Sequence, residues 1–295
     1  METTNSSPVI TEYAPGTAIG IMAGSGQFPF MVAQGAREKG LTVVICGFED
    51  NTDPALAEHA DAFAMFNLGQ LGKLIDFFKK HKVSRACMAG AISKPKALSF
   101  RPDMRAAKLL FRLAKTKGDD AILRAVAGEL ESEGIAVVRP DALSPRLLGP
   151  QGILSKKAPS AEEWEDIRFG WNTSKALGAL DIGQCVVVRS GIVIAVEAIE
   201  GTDATLNRAG ELGGGSCTMV KTVKPGQDER LDLPSLGKGT MELLARYSYV
   251  CLAFEADKTL FFDLDAALAV ADKAGIAVVG IPEDADAFFA EHIRP

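Results

Sequence analysis

Seven carboxylates and two lysines fall within one stretch, Val196 to Gly237, and Glu197, Glu200, Asp203 and Asp232 with Lys221 and Lys224 suit phosphate chemistry. An apolar run carrying Glu197 ends in Glu200-Gly201-Thr202-Asp203. A glycine cluster, Gly213 to Gly215, precedes a short apolar segment with Lys221 and Lys224 at its end. Leu231-Asp232-Leu233-Pro234 then sets an acid between apolar residues and closes on a proline. Cleavage of a phosphate ester or phosphoanhydride gathers charge on the non-bridging oxygens. Lysines or a metal ion must hold that charge, and a carboxylate must bind the metal or orient water. Mg²⁺ is satisfied by one or two carboxylates plus substrate oxygens, which makes Asp203 and Asp232 candidate ligands. Taken singly, each of these residues also reads as a solvated charge at a strand end. Their gathering in a stretch otherwise apolar and glycine-rich favours function.

The rest of the composition narrows the chemistry. The 295 residues suggest two domains, and a net charge of −6 argues against a general nucleic-acid binder. The histidines are only His59, His81 and His292, two in polar surroundings and one beside the C-terminus. A histidine-ligated zinc or a histidine general base is therefore not expected. Cys46, Cys87, Cys185, Cys217 and Cys251 are scattered in or beside apolar runs, as reduced, buried cysteines of a cytoplasmic protein would be. The polar segment Met1 to Gly16 reads as a loose tail without signal-peptide character. No apolar run approaches the length needed to cross a bilayer.

The elements that must position these residues can be taken in order. Ala18 to Ala23 is a strand, and Gly24-Ser25-Gly26-Gln27-Phe28-Pro29 leads into a helix, Phe28 to Glu38. Leu41 to Cys46 is the next strand. The Gly24 to Gly26 loop reads as an anion site, as a dinucleotide loop with Glu49 or Asp50 on a ribose, or as a tight turn. Asn67 is expected to cap a helix through Phe78. Arg85 to Ile92 is a strand whose small carboxyl end, Met88-Ala89-Gly90-Ala91, leads to Ser93 and Lys94, both suited to an anion. Met104 to Lys117 is a basic amphipathic helix. It can lie on an anionic lipid surface or pack with a solvated basic face, and the second is the simpler reading. A helix from Ala121 to Glu133 and a strand from Ile135 to Val138 complete a βαβα rhythm.

Ser144 to Pro159 reads as a boundary, placing a first domain at 17–145, a linker at 146–159 and a second domain at 160–295. Ser160-Ala161-Glu162-Glu163 is a capping box. Cys185 to Val188 and Ile192 to Ile199 form a hairpin, and Thr218 to Val223 is a strand. Thr240 to Arg246 is a helix, followed by strands at Val250 to Phe254 and Leu260 to Phe262. Asp265 to Ala274 is a helix and Ala277 to Ile281 a last strand. The expected fold is α/β, with an N-terminal Rossmann-like parallel sheet and a C-terminal α+β domain on a mixed sheet.

Seven ordered motifs carry a resemblance over roughly Ala18 to Ile281. They are Gly20-Ile21-Met22-Ala23-Gly24-Ser25-Gly26-Gln27-Phe28-Pro29, Ala89-Gly90-Ala91-Ile92-Ser93-Lys94-Pro95, Lys117-Gly118-Asp119-Asp120, Leu180-Asp181-Ile182-Gly183-Gln184, Ala195-Val196-Glu197-Ala198, Glu200-Gly201-Thr202-Asp203-Ala204 and Leu231-Asp232-Leu233-Pro234-Ser235-Leu236-Gly237. The chain resembles the bacterial UDP-2,3-diacylglucosamine pyrophosphatases of lipid A biosynthesis, the type unrelated to calcineurin-like phosphoesterases. The resemblance implies Mg²⁺-assisted attack of water on the α-phosphate, giving UMP and 2,3-diacylglucosamine 1-phosphate. It implies two domains with substrate held between them, a homodimer, and an essential aspartate at Asp232. Gln27, Met88 to Gly90, Gly201 to Asp203 and Val220-Lys221-Thr222 match substrate-contacting regions. A diacylated substrate would also suit a basic helix near the inner membrane. At Gly213 to Gly215 this chain departs from the more helical, charged stretch of the family. A nucleotide-dependent oxidoreductase using the N-terminal glycine loop and a non-catalytic UDP-sugar or lipid binder remain as alternatives.

Overall fold

The structure, a computed structural model, describes residues 13–92, 102–113 and 119–293. Lys94 and most of the expected N-terminal tail lie outside the described residues. The chain forms two compact units. The first takes residues up to Pro145 together with Asp228–Asp232, and the second takes Arg146–Gln227 and Leu233–Pro295.

The first unit runs β1 (Ala18–Ala23), α1 (Phe28–Glu38), β2 (Thr42–Phe48), β3 (Ala62–Phe66), α2 (Leu71–Lys80), β4 (Arg85–Ala89), α3 (Met104–Leu113), α4 (Asp119–Ser132) and β5 (Ala136–Val137). Its sheet has the order β3-β2-β1-β4-β5 and every pairing is parallel. β2 is buried at every residue after Thr42, the unbroken apolar run that a strand covered on both faces needs. β3 was not expected. All of its residues are only half-buried, so the edge strand has neither a buried run nor a clean alternation. α2 begins at Leu71 because Asn67 does not cap it. The Asn67 backbone N–H instead donates to Gln70 Oε1 at 3.1 Å. β4 stops at Ala89, since Gly90 has φ +92° and turns the chain.

One carboxylate fixes two helix starts. Asp103 accepts from Ala106 N in the first turn of α3 at 2.9 Å and from Gly72 N in α2 at 2.6 Å. Asp228–Asp232 is the late contribution to this unit. Leu231 is buried in its apolar core, while Arg230 binds Asp228 and reaches Glu131 at 2.7 Å.

The second unit runs β6 (Gly152–Ile153), α5 (Ala161–Ala179), β7 (Cys185–Arg189), β8 (Ile192–Val196), α6 (Thr202–Gly213), β9 (Thr218–Lys221), β10 (Ser235–Gly237), α7 (Lys238–Arg246), β11 (Cys251–Glu255), β12 (Leu260–Phe262), α8 (Leu264–Ala274), β13 (Ala277–Ile281) and α9 (Ala285–His292). Its main sheet, β6-β13-β11-β9-β7-β8, is mixed. β9, β11 and β13 are parallel, and β6, β7 and β8 join antiparallel. Alternate residues divide between two cores. Met219, Leu252 and Val278 face α6, α7 and α8, whereas Val220, Ala253 and Val279 face α5 and α9. β10 and β12 form a separate parallel pair. All five cysteines are buried and free, and burial pushes the Cys87 and Cys185 thiols up to about 12. A thiolate nucleophile finds no support there.

α6 is the main element that residue patterning missed. Its buried face is Thr205, Leu206, Ala209, Gly210 and Gly213, small residues in place of a large apolar stripe. Gly213 to Gly215 is the end of this helix, with Gly214 as a left-handed C-cap.

Local polar contacts hold α5 and the hairpin. Ser160 and Glu163 make the reciprocal capping box. Further along α5, the buried Asp166 accepts from Ser190 N at 2.9 Å and Gly191 N at 2.7 Å, which pins the β7–β8 turn. Asp166→Ala should lower unfolding stability by about 2–3 kcal/mol, because charge-assisted bonds to two backbone donors are lost. Ser160→Ala should cost about 1 kcal/mol. Equal losses in chemical denaturation would show that the Asp166 carboxylate does not hold the turn.

Candidate active site

In the second unit, a cavity of about 560 Å³ is lined by Glu200 to Asp203, Lys221, Ser235 to Gly237, Gly239, Thr240 and Phe262. Lys221 is the last residue of β9, so the cavity lies at the carboxyl end of a strand in the parallel part of the sheet. Two helices begin here. α6 starts at Gly201, whose φ of +80° suits glycine, and α7 starts at Gly237. Neither start has a side-chain cap. First-turn N–H groups lack partners inside a helix and carry its positive end, so both helices favour an anion in this cavity.

Lys221 supplies the full charge. It is 4% exposed, and its ammonium donates to Thr202 Oγ1 and Ser235 O, both at 3.0 Å. Both acceptors are neutral. Among the described residues no carboxylate lies within ion-pair distance of it. An ammonium has three donors, so one N–H is left for a ligand. Thr202 Oγ1 passes the polarity on by donating to Glu197 Oε1 at 2.7 Å. Glu197 is buried and also receives Gln184 N at 3.4 Å. It therefore stands behind Thr202 and is not among the lining residues. Glu197 raises the Cys185 thiol and Lys221 lowers it, both less than burial does, which places all three side chains in one patch.

The two acids of the rim differ. Glu200 is engaged by Arg208 at 2.8 Å, and its backbone N–H followed by that guanidinium holds its carboxyl below the usual range. Asp203 is exposed in the first turn of α6, and its carboxylate has no partner among the described residues. The donor set thus fits a hard cation bound by one carboxylate and completed by substrate oxygens. Among the described residues, no group of three or more histidine, cysteine, aspartate or glutamate side chains could hold a metal by itself.

The remaining expected residues are distributed as follows. Val220 is fully buried in the α5-facing core, and the Thr222 hydroxyl shares a 2.8 Å hydrogen bond with Ser174. Lys224 pairs with Asp181 at 2.8 Å. Gly24, Gly26, Gln27, Met88, Ala89 and Gly90 gather in the first unit, where the strand order reverses between β1 and β4. There the loops bond to each other. Gly24 N donates to Ala89 O at 2.7 Å and Ser25 N to Ala91 O at 2.8 Å. A Cβ at Gly24 would lie 2.4 Å from Ala91 O, so glycine here serves close loop packing. Two of the N–H groups expected to cradle an anion are thereby used. Asp232 is exposed between the buried Leu231 and Leu233, where the chain passes from the first unit to the second. The residues that sequence reading missed are Ser235, Gly237, Gly239, Thr240 and Phe262. The signal was Gly237-Lys238-Gly239-Thr240, a glycine-rich entry to a helix.

Comparison with known proteins covers nearly all of this architecture. A family model described as the LpxI N-terminal domain matches residues 18–147, and one described as the LpxI C-terminal domain matches 150–279. The UDP-2,3-diacylglucosamine pyrophosphatase LpxI of Caulobacter vibrioides is 33% identical over 273 residues, spanning 89% of this chain and 97% of that protein. Among solved structures, the biotin carboxylase domain of Hydrogenobacter thermophilus 2-oxoglutarate carboxylase matches 61% of this chain and 36% of its own at 15% identity and a TM-score of 0.27. Biotin carboxylase of Campylobacter jejuni matches 66% and 42% at 10% identity and a TM-score of 0.27. Likenesses that weak carry no argument. The two family models and the relative agree along the whole length they cover, and this chain belongs to the LpxI family.

Proposed function

We propose that this protein hydrolyses UDP-2,3-diacylglucosamine to UMP and 2,3-diacylglucosamine 1-phosphate by attack of water on the α-phosphate, a step of lipid A biosynthesis. The observation that carries the reading is the buried Lys221 set between two uncapped helix starts in one cavity. Its spare N–H and the first-turn N–H groups of α6 and α7 would bind phosphoryl oxygens and take up the charge that grows on them. Thr202, backed by Glu197, and the Ser235 carbonyl hold the ammonium in place, which saves reorganisation during the reaction.

Asp203 would hold Mg²⁺, with Asp232 as the second carboxylate of the reaction. When bound, Mg²⁺ neutralises phosphate charge and favours deprotonated water. Asp232 is the residue assigned to the water, exposed and fixed by the buried leucines on either side of it. No histidine is needed. The inter-loop hydrogen bonds at Gly24 and Ser25 speak against a dinucleotide cradle, and so against the oxidoreductase alternative. The family resemblance also carries a homodimer, which light scattering of the wild-type protein would test. The buried, unpaired cysteines support a cytoplasmic setting.

UMP release from the diacylated substrate, with and without Mg²⁺, tests the reading. Asp232→Ala should lower kcat by about 10²–10⁴-fold with the fold intact by circular dichroism. Lys221→Met should lower it by roughly 10²–10³-fold. Near-normal turnover in Asp232→Ala would remove that residue from the chemistry. Mg²⁺-independent turnover would remove the metal, and no UMP release at all would leave only the binder alternative.

A further inference from the structure

α3 is amphipathic in an unusual sense: both of its long faces carry apolar residues. Ala106 and Leu109 are buried in the first unit's core. On the opposite side Met104, Ala107, Lys108, Phe111 and Arg112 are all exposed, and they fall at helical spacing on one stripe. Met104 is 76% exposed and Phe111 84% exposed. Large apolar side chains on a stripe with two cations have no packing role in a folded monomer. The helix is held firmly from beneath. Asp103 caps it, and Arg105 binds Glu129 at 2.6 Å and Glu133 at 2.5 Å. Glu129 lies on α4 and Glu133 directly follows it, so the stripe is presented rigidly.

The charge of the region selects the occupant. α3 itself carries Arg105, Lys108 and Arg112 and no acid, in a chain whose net charge is −6. Among the described residues Lys108 has no ion pair, and the partner of Arg112 is Glu129 at 3.2 Å while the arginine stays 67% exposed. A second copy meeting this face symmetrically would set like charges against each other. An anionic bilayer meets both needs at once: the headgroups take Lys108 and Arg112, and Phe111 and Met104 enter the acyl boundary.

We propose that the outer stripe of α3 is a peripheral membrane-docking surface, selective for anionic lipid. The inference deepens the proposed function, because an enzyme acting on a diacylated nucleotide would find its substrate at that surface. The two readings can fail separately. Binding is measured without substrate, by sedimenting the full-length protein with vesicles of phosphatidylcholine containing about one third phosphatidylglycerol. Turnover is measured with substrate in detergent micelles.

The wild type should sediment with the anionic vesicles and far less with pure phosphatidylcholine. The double variant Lys108→Glu, Arg112→Glu and the single variant Phe111→Ser should each lower the partition coefficient by about tenfold or more. Micellar turnover should stay unchanged in both, and the melting temperature should stay unchanged in Phe111→Ser and fall only slightly in the double variant, which loses the Arg112–Glu129 pair. Equal binding to both vesicle types, or unaltered binding by both variants, would overturn the proposal. So would a drop in molecular mass on Phe111→Ser, which would make the stripe a subunit interface, or a loss of micellar turnover, which would place it on the substrate's path. Absence of UMP release by the wild type would instead count against the hydrolase reading and leave vesicle binding to be judged alone.

Discussion

A lysine charge withdrawn from water and given only neutral partners is the constraint around which the second unit is arranged. Burying an ammonium is costly unless hydrogen bonds and a counter-charge compensate it. Lys221 has the hydrogen bonds, to Thr202 and Ser235, and a carboxylate one residue further off at Glu197. The hairpin β7–β8 leads into Glu197, α6 delivers Thr202, and β10 delivers the Ser235 carbonyl. Two of these stretches meet the nitrogen directly and the third backs Thr202. One N–H of the ammonium stays open to the cavity.

The same economy explains why the site has so few acids. Glu197 supports Thr202, Glu200 is occupied by Arg208, and Asp203 alone is left with an open carboxylate at the cavity. A cavity with more free carboxylates would lose the positive character that Lys221 and the two helix starts give it. One open carboxylate beside two helix starts leaves that character in place.

Much of this was legible in residue order. β1 and α1 lie where Ala18 to Ala23 and Phe28 to Glu38 placed them, and the Ser160–Glu163 box opens α5 as its spacing required. Lys221, Thr202 and Asp203 come together as that stretch suggested. Three features were hidden, each for a physical reason. α6 packs through alanine, threonine and glycine, whose burial leaves little hydrophobic period to detect. β10 is three residues long and pairs only with β12, a partner far off in sequence. The α7 half of the cavity lacks a charged marker, because its contribution comes from backbone. The glycine clusters serve the backbone in two ways. Gly24 and Gly90 allow two loops to touch, and Gly214 ends a helix about 18 Å of helix axis from the start of α6.

Asp228–Asp232 has a consequence for how this protein can be divided. The first unit looks like an independent module, because its sheet is complete by β5. Its apolar core is not complete there: Leu231 is a buried member, and Arg230 ties Glu131 of α4 to Asp228. A gene fragment ending near residue 147 would keep the sheet yet leave an open socket where Leu231 belongs. Domain exchange between relatives at that junction would pair one protein's socket with another's plug. The first unit is therefore built from two separated stretches of the chain, and the five residues around Arg230 are part of its core and not a passing linker.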